Sequence, residues 1–348
     1  MTDATSRSVM VTVTEVIDET AEARSLVLAI PENARAQWDH RPGQFLTLRV
    51  PSDVTGSVAR CYSLASSPHT DAAPKVTVKR TKDGYGSNWL CDNVSAGDEL
   101  EVLPPAGTFT PRDLDGDVAL WAGGSGITPV LSILKSVLTA GTARVTLVYA
   151  NRDERSVIFA AELREFAGRF PDRLTVTHWL ESVQGLPSTA HLAALAANLH
   201  DRDHYLCGPA AFMTAVQSAL AEMAVPRARI HAEVFASLSG DPFAPAPVDV
   251  QGADGGSADD ADLEVDLDGQ VHRLRWPRRS TLVEVLLAAG VDVPYSCREG
   301  QCGSCACTVT DGEVAMEQAD ILQPEDVADG IILGCQARPV SDGVRVEF

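Results

Sequence analysis

Cysteines carry the clearest chemistry in this chain. Cys297, Cys302 and Cys305 stand close together and Cys335 follows after 29 intervening residues, a C-x4-C-x2-C-x29-C spacing. Four thiolates so arranged match the ligand set of a plant-type [2Fe-2S] cluster, in which a tight loop supplies three ligands and a distant strand end the fourth. Zinc also accepts thiolates, but structural zinc favours two symmetric C-x2-C pairs and only one such pair is present. Gly300 and Gly303 suit a loop whose backbone wraps closely around inorganic sulfur and aims N–H groups at it. Cys307 opens the following strand and falls outside the spacing. A one-electron centre here requires the rest of the chain to supply or consume electrons.

Two other stretches suit a phosphorylated cofactor. Arg60, Cys61, Tyr62 and Ser63 set a cation, an aromatic ring and a hydroxyl on one extended segment, with Arg60 and Tyr62 on one face by alternation. Gly86, Ser87 and Asn88 close a loop and open a short helix, whose free N–H groups would accept a phosphate. Alone, each pattern is common on protein surfaces. Further on, Gly123, Gly124, Gly126, Ile127, Thr128 and Pro129 lead from a buried strand into a helix, with Thr128 expected as N-cap and Pro129 at the first helical position. A dinucleotide pyrophosphate would rest on such a turn. The spacing is not G-x-G-x-x-G, however, so a plain tight turn is the competing reading.

Three blocks of sequence position these groups. Residues 1–113 read as short β-branched strands at 9–16, 25–30, 45–50, 61–65, 75–81 and 99–103, punctuated by Pro and Gly, which suggests an antiparallel barrel. From 114 to 240 strands alternate with helices. Strands are expected at 117–122, 144–150, 174–180, 204–207 and 229–235, and helices at 128–140, 156–170, 189–199 and 210–223. That alternation predicts a parallel α/β sheet covered on both faces. A Pro-stiffened, then Gly-, Ser- and Asp-rich linker spans 241–260. Beyond it, 261–348 reads as a small α+β unit, with a hairpin turning at Asp268 and Gly269, a helix at 281–289 ended by Gly290, and strands on either side of the cysteine loop.

Composition narrows the possibilities. The chain has 348 residues, enough for two or three domains with separate cores. It holds 45% apolar and 22% charged residues, lacks an apolar run of membrane-spanning length, and begins without the apolar stretch of a signal peptide. A cytoplasmic protein with reduced thiols and no membrane association is expected. A formal charge of −20 argues against nucleic acid, whose phosphates it would repel, and suits either a basic protein partner or plain solubility.

Taken in order, these motifs resemble the ferredoxin–NADP reductase superfamily, in its class of oxygenase reductases with a C-terminal plant-type [2Fe-2S] domain of β-grasp fold. The resemblance covers essentially the whole chain. It implies FAD on the barrel, with Arg60 at its phosphates, Tyr62 against the isoalloxazine ring, Ser63 beside the reacting nitrogen, and Lys79, Gly86, Ser87 and Asn88 completing the site. It implies NADH on the Gly123-to-Pro129 turn. Cys207, Gly208 and Pro209 match a Cys-Gly-Pro turn beside the nicotinamide, and Glu233 and Phe235 a closing Glu-x-Phe, giving Ser63, Cys207 and Glu233 catalytic roles. Read from their positions alone, Cys207 is a small buried hydrophobe and Glu233 a solvated strand end.

Within that class the stretches 60–70, 76–81 and 296–300 are most similar to reductases of 3-ketosteroid 9α-hydroxylase systems, with those of phenylacetyl-CoA epoxidases as near relatives. The resemblance implies that electrons pass from NADH through FAD and the cluster to a separate Rieske-type oxygenase. A flavin is needed between them because nicotinamide yields a hydride and the oxygenase takes single electrons. A redox sensor is the competing reading; it would need no nicotinamide site, so bleaching of the flavin by NADH separates the two. Residues 261–348 hold sixteen acidic against seven basic residues, and Glu299, Glu317 and Asp320 are expected to rim the partner's docking surface.

Overall fold

The structure is a computed structural model describing residues 8–244, 259–267, 269–319, 321–322 and 324–348. Most of the expected linker, Asp268 of the hairpin turn and Asp320 lie outside the described residues.

The first unit contains β1 (Val9–Thr20), β2 (Ala23–Ala29), β3 (Phe45–Ser52), β4 (Gly56–Ser63), β5 (Lys75–Lys79), helix α1 (Tyr85–Asn93) and β6 (Glu99–Ala106). Its strands are antiparallel in the order β4-β3-β6-β1-β2-β5, and a bridge from Leu64 to Val76 brings the two edges together as a barrel. Alternation builds the interior: Val11, Val13, Leu26, Leu28, Leu46 and Leu48 turn inward and are almost fully buried. β6 runs past its expected end at 103, through Pro104 and Pro105, to Ala106. A register shift against β3 between Phe45 and Thr47 accommodates the two prolines, which cannot donate to a regular ladder.

The second unit contains β7 (Val118–Gly123), α2 (Ile127–Ala140), β8 (Val145–Asn151), α3 (Ala160–Arg169), β9 (Leu174–Leu180), α4 (Glu181–Gln184), α5 (Thr189–Ala196), β10 (Asp203–Cys207), α6 (Ala210–Glu222) and β11 (Ile230–Glu233). Its sheet is parallel throughout, in the order β11-β10-β7-β8-β9. β7 is buried at every position because both faces are covered. Leu120 and Ala122 meet the core of α2 and α3, while Ala119 and Trp121 meet that of α5 and α6. The helix expected at 156–170 is broken. Asp153 and Ser156 close a capping box over one 3-10 turn, Val157, Ile158 and Phe159 bury into the core, and Phe159 turns left-handed (φ 61°) before α3 begins. The strand expected at 229–235 stops at Glu233, which leaves Phe235 beyond it and half exposed.

The third unit contains β12 (Ala261–Leu267), β13 (Gln270–Trp276), α7 (Leu282–Ala288), β14 (Ala306–Asp311), β15 (Val314–Met316), α8 (Pro324–Ala328), β16 (Ile331–Leu333), β17 (Ala337–Pro339) and β18 (Gly343–Glu347). β12 and β18 pair in parallel inside a five-stranded mixed sheet ordered β13-β12-β18-β14-β16. α7 is capped reciprocally by Thr281 and Glu284 and packs Leu282, Val283 and Leu286 into a core shared with Trp276, Val265 and Cys307. Among the described residues, no helix is long and apolar enough to cross a membrane.

A buried polar seam joins the first two units along α2. Lys135 is 1% exposed, and its ammonium lies 2.7 Å from Asp71 and 2.6 Å from Glu162, which Lys75 also reaches at 3.0 Å. Beside it, Ser132 donates to the Ser66 carbonyl at 2.6 Å and Ser136 shares a 2.7 Å hydrogen bond with Ser67. Burial works to raise the Glu162 carboxyl, but the two lysines outweigh it and hold it below its ordinary value of 4.5. Lys135→Met should destabilise the protein by about 3–5 kcal/mol near neutral pH by leaving the two carboxylates without their shared cation. A depressed carboxylate stabilises the fold above its unfolded-state value, and that contribution fades as pH falls through its folded-state value. The deficit of the variant should therefore shrink on acidification. Thermal unfolding of both proteins from about pH 7 to pH 4 measures this, and a deficit independent of pH would mean the ion pairs contribute nothing.

Candidate functional site

A cavity of about 290 Å³ opens between β4, β5, the start of α1, the β7–α2 turn and the segment after β11. Tyr62, Ser63, Lys79, Ser87, Ser125 and Phe235 are among its walls. β4 delivers three of the expected side chains in one stroke: Arg60 and Tyr62 share the face of their partners Leu48 and Leu46, with Tyr62 packed against the barrel core, and Ser63 closes the strand, 4% exposed. Burial holds the Tyr62 phenol protonated, so it offers a ring. Gly86 is required by contact, since a Cβ there would lie 2.9 Å from Arg60 Cγ. Arg60 donates to the carbonyls of Ala59 (2.7 Å) and Leu238 (3.4 Å).

Two expected phosphate contacts are engaged elsewhere. Ser87 Oγ accepts from the Thr81 amide at 3.1 Å, and Asn88 Nδ2 donates to the Thr81 and Gly84 carbonyls at 3.0 and 2.7 Å. Both side chains thus tie the preceding loop to α1. No side chain caps that helix, so its first N–H groups, together with Arg60, are what the cavity offers to a phosphate. A cation, a buried ring and free helix N–H groups around an open cleft fit a flavin dinucleotide.

The nucleotide turn is built by interlocking glycines. A Cβ on Gly126 would stand 2.0 Å from the Cys207 carbonyl oxygen, and one on Gly123 would stand 2.7 Å from Pro209 Cδ. The β7–α2 turn and the Cys207-Gly208-Pro209 turn therefore press backbone to backbone. Thr128 is not the N-cap expected for it. α2 begins at Ile127 after a 3-10 turn at Gly124–Gly126, and Thr128 Oγ1 donates back to the Ser125 carbonyl at 3.0 Å. Pro129 consequently sits at the third helical position rather than the first. Lys79 Nζ lies 3.4 Å from where a Gly124 Cβ would be. Burial and the neighbouring Arg152 lower the pKa of Lys79. Lys79 beside a glycine turn at the start of a 14-residue helix fits a pyrophosphate, while Arg152 is paired with Glu22.

Cys207 and Glu233 are direct neighbours in the β10–β11 register. Cys207 is fully buried within the α/β core, where burial raises its thiol far above the ordinary value. Glu233 lines a small cavity beside the flavin cleft, one that Ser63 also walls, and desolvation pushes its carboxyl up to about 7. Of the three residues expected to be catalytic, the fold brings Ser63 and Glu233 to one cleft and sets Cys207 behind it.

In the third unit Gly300 and Gly303 both adopt φ 72°, as expected of a loop folded back on itself. Cys297, Cys305 and Cys335 are buried and Cys302 is partly buried. The Cys297 thiol neighbours those of Cys302 and Cys335, and the Cys335 thiol neighbours that of Cys305. The amides of Glu299 and Gln301 donate to Cys297 Sγ at 3.3 and 3.4 Å, and the Cys335 amide to Cys305 Sγ at 3.4 Å. Among the described residues no His, Cys, Asp and Glu side chains converge tightly enough to hold a single metal ion. The four thiols nevertheless neighbour one another in series, and N–H groups aimed at sulfur fit the cluster. Cys307, on β14, packs into the same apolar core as Cys305 and Cys335.

The cysteine loop faces the barrel. A second, small cavity of about 30 Å³ is walled on one side by Cys61, Ser63 and Glu233 and on the other by Cys297 and Cys302. Contacts across this seam had no local signal in the sequence. Thr47 and Ser296, 249 residues apart, share a 2.8 Å hydrogen bond, the Gly107 amide donates to Ser304 Oγ at 3.1 Å, and Arg298 donates to the Ala244 carbonyl at 2.8 Å. Glu299, expected on the docking rim, turns inward instead: it accepts from the Ser239 amide (2.9 Å) and hydroxyl (3.0 Å) and from the Gly240 amide. Glu317 pairs with Arg338, because an arginine on the adjacent β17 lies within its reach.

A flavin cleft, a glycine-lined nucleotide turn and a four-thiol loop meeting in one chain define an NAD- and flavin-dependent iron–sulfur oxidoreductase. Three family models agree with the three units: an oxidoreductase FAD-binding domain over residues 10–110, an oxidoreductase NAD-binding domain over 120–218 and a 2Fe-2S iron-sulfur cluster binding domain over 265–340. The chain is 64% identical to the ferredoxin reductase component of 3-ketosteroid-9-alpha-monooxygenase from Rhodococcus rhodochrous, over 99% of this chain and 97% of that one. It is 32% identical to one of the subunits of the 1,2-phenylacetyl-CoA epoxidase of Escherichia coli strain K12, over 97% and 96% of the two chains. Among solved structures, phthalate dioxygenase reductase, described as a modular structure for electron transfer from pyridine nucleotides to [2Fe-2S], superposes with a TM-score of 0.58 at 26% identity over 98% of each chain. The chain belongs to the family of ferredoxin reductase components of 3-ketosteroid-9-alpha-monooxygenases.

Proposed function

We propose that this protein draws electrons from NADH and delivers them singly to a separate Rieske-type oxygenase that hydroxylates a 3-ketosteroid at its 9α position. The observation that carries the reading is the small cavity walled by Ser63 and Cys61 on one side and by Cys297 and Cys302 on the other, since it joins the flavin cleft to the cysteine loop. Bound flavin would take up the electron pair of a hydride and hand on single electrons, which a bound cluster can accept and carry. The protein binds, orients and excludes water. Arg60 and the first N–H groups of α1 hold the flavin phosphates, with Gly86 giving them room and Ser87 and Asn88 fixing the loop. Tyr62 lies against the ring and the Ser63 hydroxyl beside its reacting nitrogen. Gly123, Gly124 and Gly126 present α2 to the dinucleotide, and Lys79 adds charge. Gly208 and Pro209 hold the opposing turn, while Cys207 and Glu233 back the nicotinamide and Phe235 shields it. Cys297, Cys302, Cys305 and Cys335 ligate iron. The other four cysteines, Cys61, Cys91, Cys207 and Cys307, form no disulfide, which supports a reducing, cytoplasmic setting.

NADH-driven turnover with purified oxygenases tests the reading. A 3-ketosteroid hydroxylase oxygenase should be served well and a phenylacetyl-CoA epoxidase oxygenase poorly; equal service would remove the steroid assignment. The acidic excess of residues 261–348 further predicts an electrostatic encounter, which salt screens over a Debye length of about 8 Å at physiological strength. Electron delivery to the oxygenase should slow as salt rises, while NADH reduction of a small neutral acceptor stays constant. A delivery rate indifferent to salt would show that charge does not steer docking.

A further inference from the structure

The seam between the cysteine loop and the barrel contains a polar thread that no motif accounts for. Thr47, on β3, is fully buried, and Ser296, immediately before Cys297, is 1% exposed. Their hydroxyls are 2.8 Å apart. Thr47 Oγ1 also lies 3.4 Å from the Cys61 thiol, and Cys61 walls both the flavin cleft and the small cavity shared with Cys302. One continuous hydrogen-bonded thread, Cys61 to Thr47 to Ser296, thus runs from the flavin cleft to the residue adjoining a cluster ligand. Around it Ala59, Leu103, Leu238, Phe243 and Cys297 form an apolar patch, so water does not replace a lost partner. Elsewhere at this seam the polar contacts are more open: Glu299 meets Ser239 and Gly240 at exposed positions.

We propose that the Thr47–Ser296 hydrogen bond is the latch that seats the cysteine loop at the mouth of the flavin cleft, making both residues positioning residues for the electron step between the two centres. In that step one electron leaves the reduced flavin, which is oxidised, and enters the cluster, which is reduced. The inference rests on the reading under Proposed function. Its physical basis is that a hydroxyl deprived of its partner in a dry seam disfavours the closed seam, so the seated fraction falls and the electron step falls with it.

Thr47→Val keeps shape and removes the hydroxyl, Ser296→Ala removes the other partner, and Thr47→Ser restores the bond. The holoprotein is mixed anaerobically with NADH while flavin and cluster absorbance are followed, and backbone hydrogen exchange is measured at Ser239 and Gly240, whose amides are covered only while the seam is closed. In Thr47→Val and Ser296→Ala, exchange at those amides should speed up and electron passage to the cluster slow, each roughly tenfold. Flavin reduction by NADH and iron content should stay unchanged, and Thr47→Ser should restore both rates. Unchanged exchange and unchanged passage would overturn the latch, as would a uniform loss of iron, flavin reduction and passage, which marks a folding defect. If NADH fails to bleach the flavin of the unaltered protein, the functional reading itself fails, whatever the variants do.

Discussion

Replacing Cys302 by serine is expected to strip the iron from the protein while NADH still bleaches its flavin. Cys302, partly buried, neighbours Cys297, which in turn neighbours Cys335, and a plant-type cluster needs all four thiolates. The flavin cleft and the nucleotide turn are formed by the first two units, and the polar seam along α2 joins those units without help from the third. Electron delivery to any one-electron protein acceptor should therefore fall to background. Cys307→Ser is the control: its thiol shares the apolar core of the third unit with Cys305 and Cys335 but falls outside the ligand spacing, and its iron content should be normal. Iron retained in Cys302→Ser, or lost in Cys307→Ser, would contradict the ligand assignment.

Gly126→Ala is the second change with a large expected effect. Its added methyl would lie 2.0 Å from the carbonyl oxygen and 2.3 Å from the carbonyl carbon of Cys207, so one of two backbones must move. Those backbones are the turns at the ends of β7 and β10, which hold the nicotinamide nucleotide in the proposed mechanism. Misplacing a reacting group by about an ångström costs on the order of 100-fold in rate, and NADH-driven flavin reduction should fall by at least that factor. Bound flavin and its reduction by dithionite should persist, because β4, β5 and the start of α1 supply most of the cleft wall. Gly168→Ala, in α3 with nothing near its Cβ position, should leave the rate unchanged. A wild-type rate in Gly126→Ala would remove the interlocked turns from the mechanism.

Much of this site was legible because its parts are local in sequence. The cysteine spacing, the Arg60-to-Ser63 strand and the glycine turn after β7 each compress their chemistry into a few residues, and the periodicity of β7 to α6 announced the parallel sheet. What escaped was set by partners far away. Thr47 reads as one polar residue between Leu46 and Leu48 until Ser296 arrives from the third unit. Lys135 reads as the wet position of an amphipathic helix, yet Asp71 and Glu162 allow it to be buried. Glu299 looked like surface charge because nothing in its own loop predicts the two amides that it caps. Thr128 was misjudged for a local reason: two glycines and a serine wind a 3-10 turn ahead of α2, which moves the first helical residue from Pro129 to Ile127 and turns the hydroxyl back onto Ser125.

Anaerobic stopped-flow mixing of the holoprotein with NADH tests the central claim most directly. The seam between Ser63, Cys61 and the Cys297–Cys302 loop predicts two ordered events, bleaching of the flavin by NADH followed by bleaching of the cluster at the expense of the reduced flavin. A flavin that NADH does not bleach, or a cluster that stays oxidised beside a fully reduced flavin, would contradict the account.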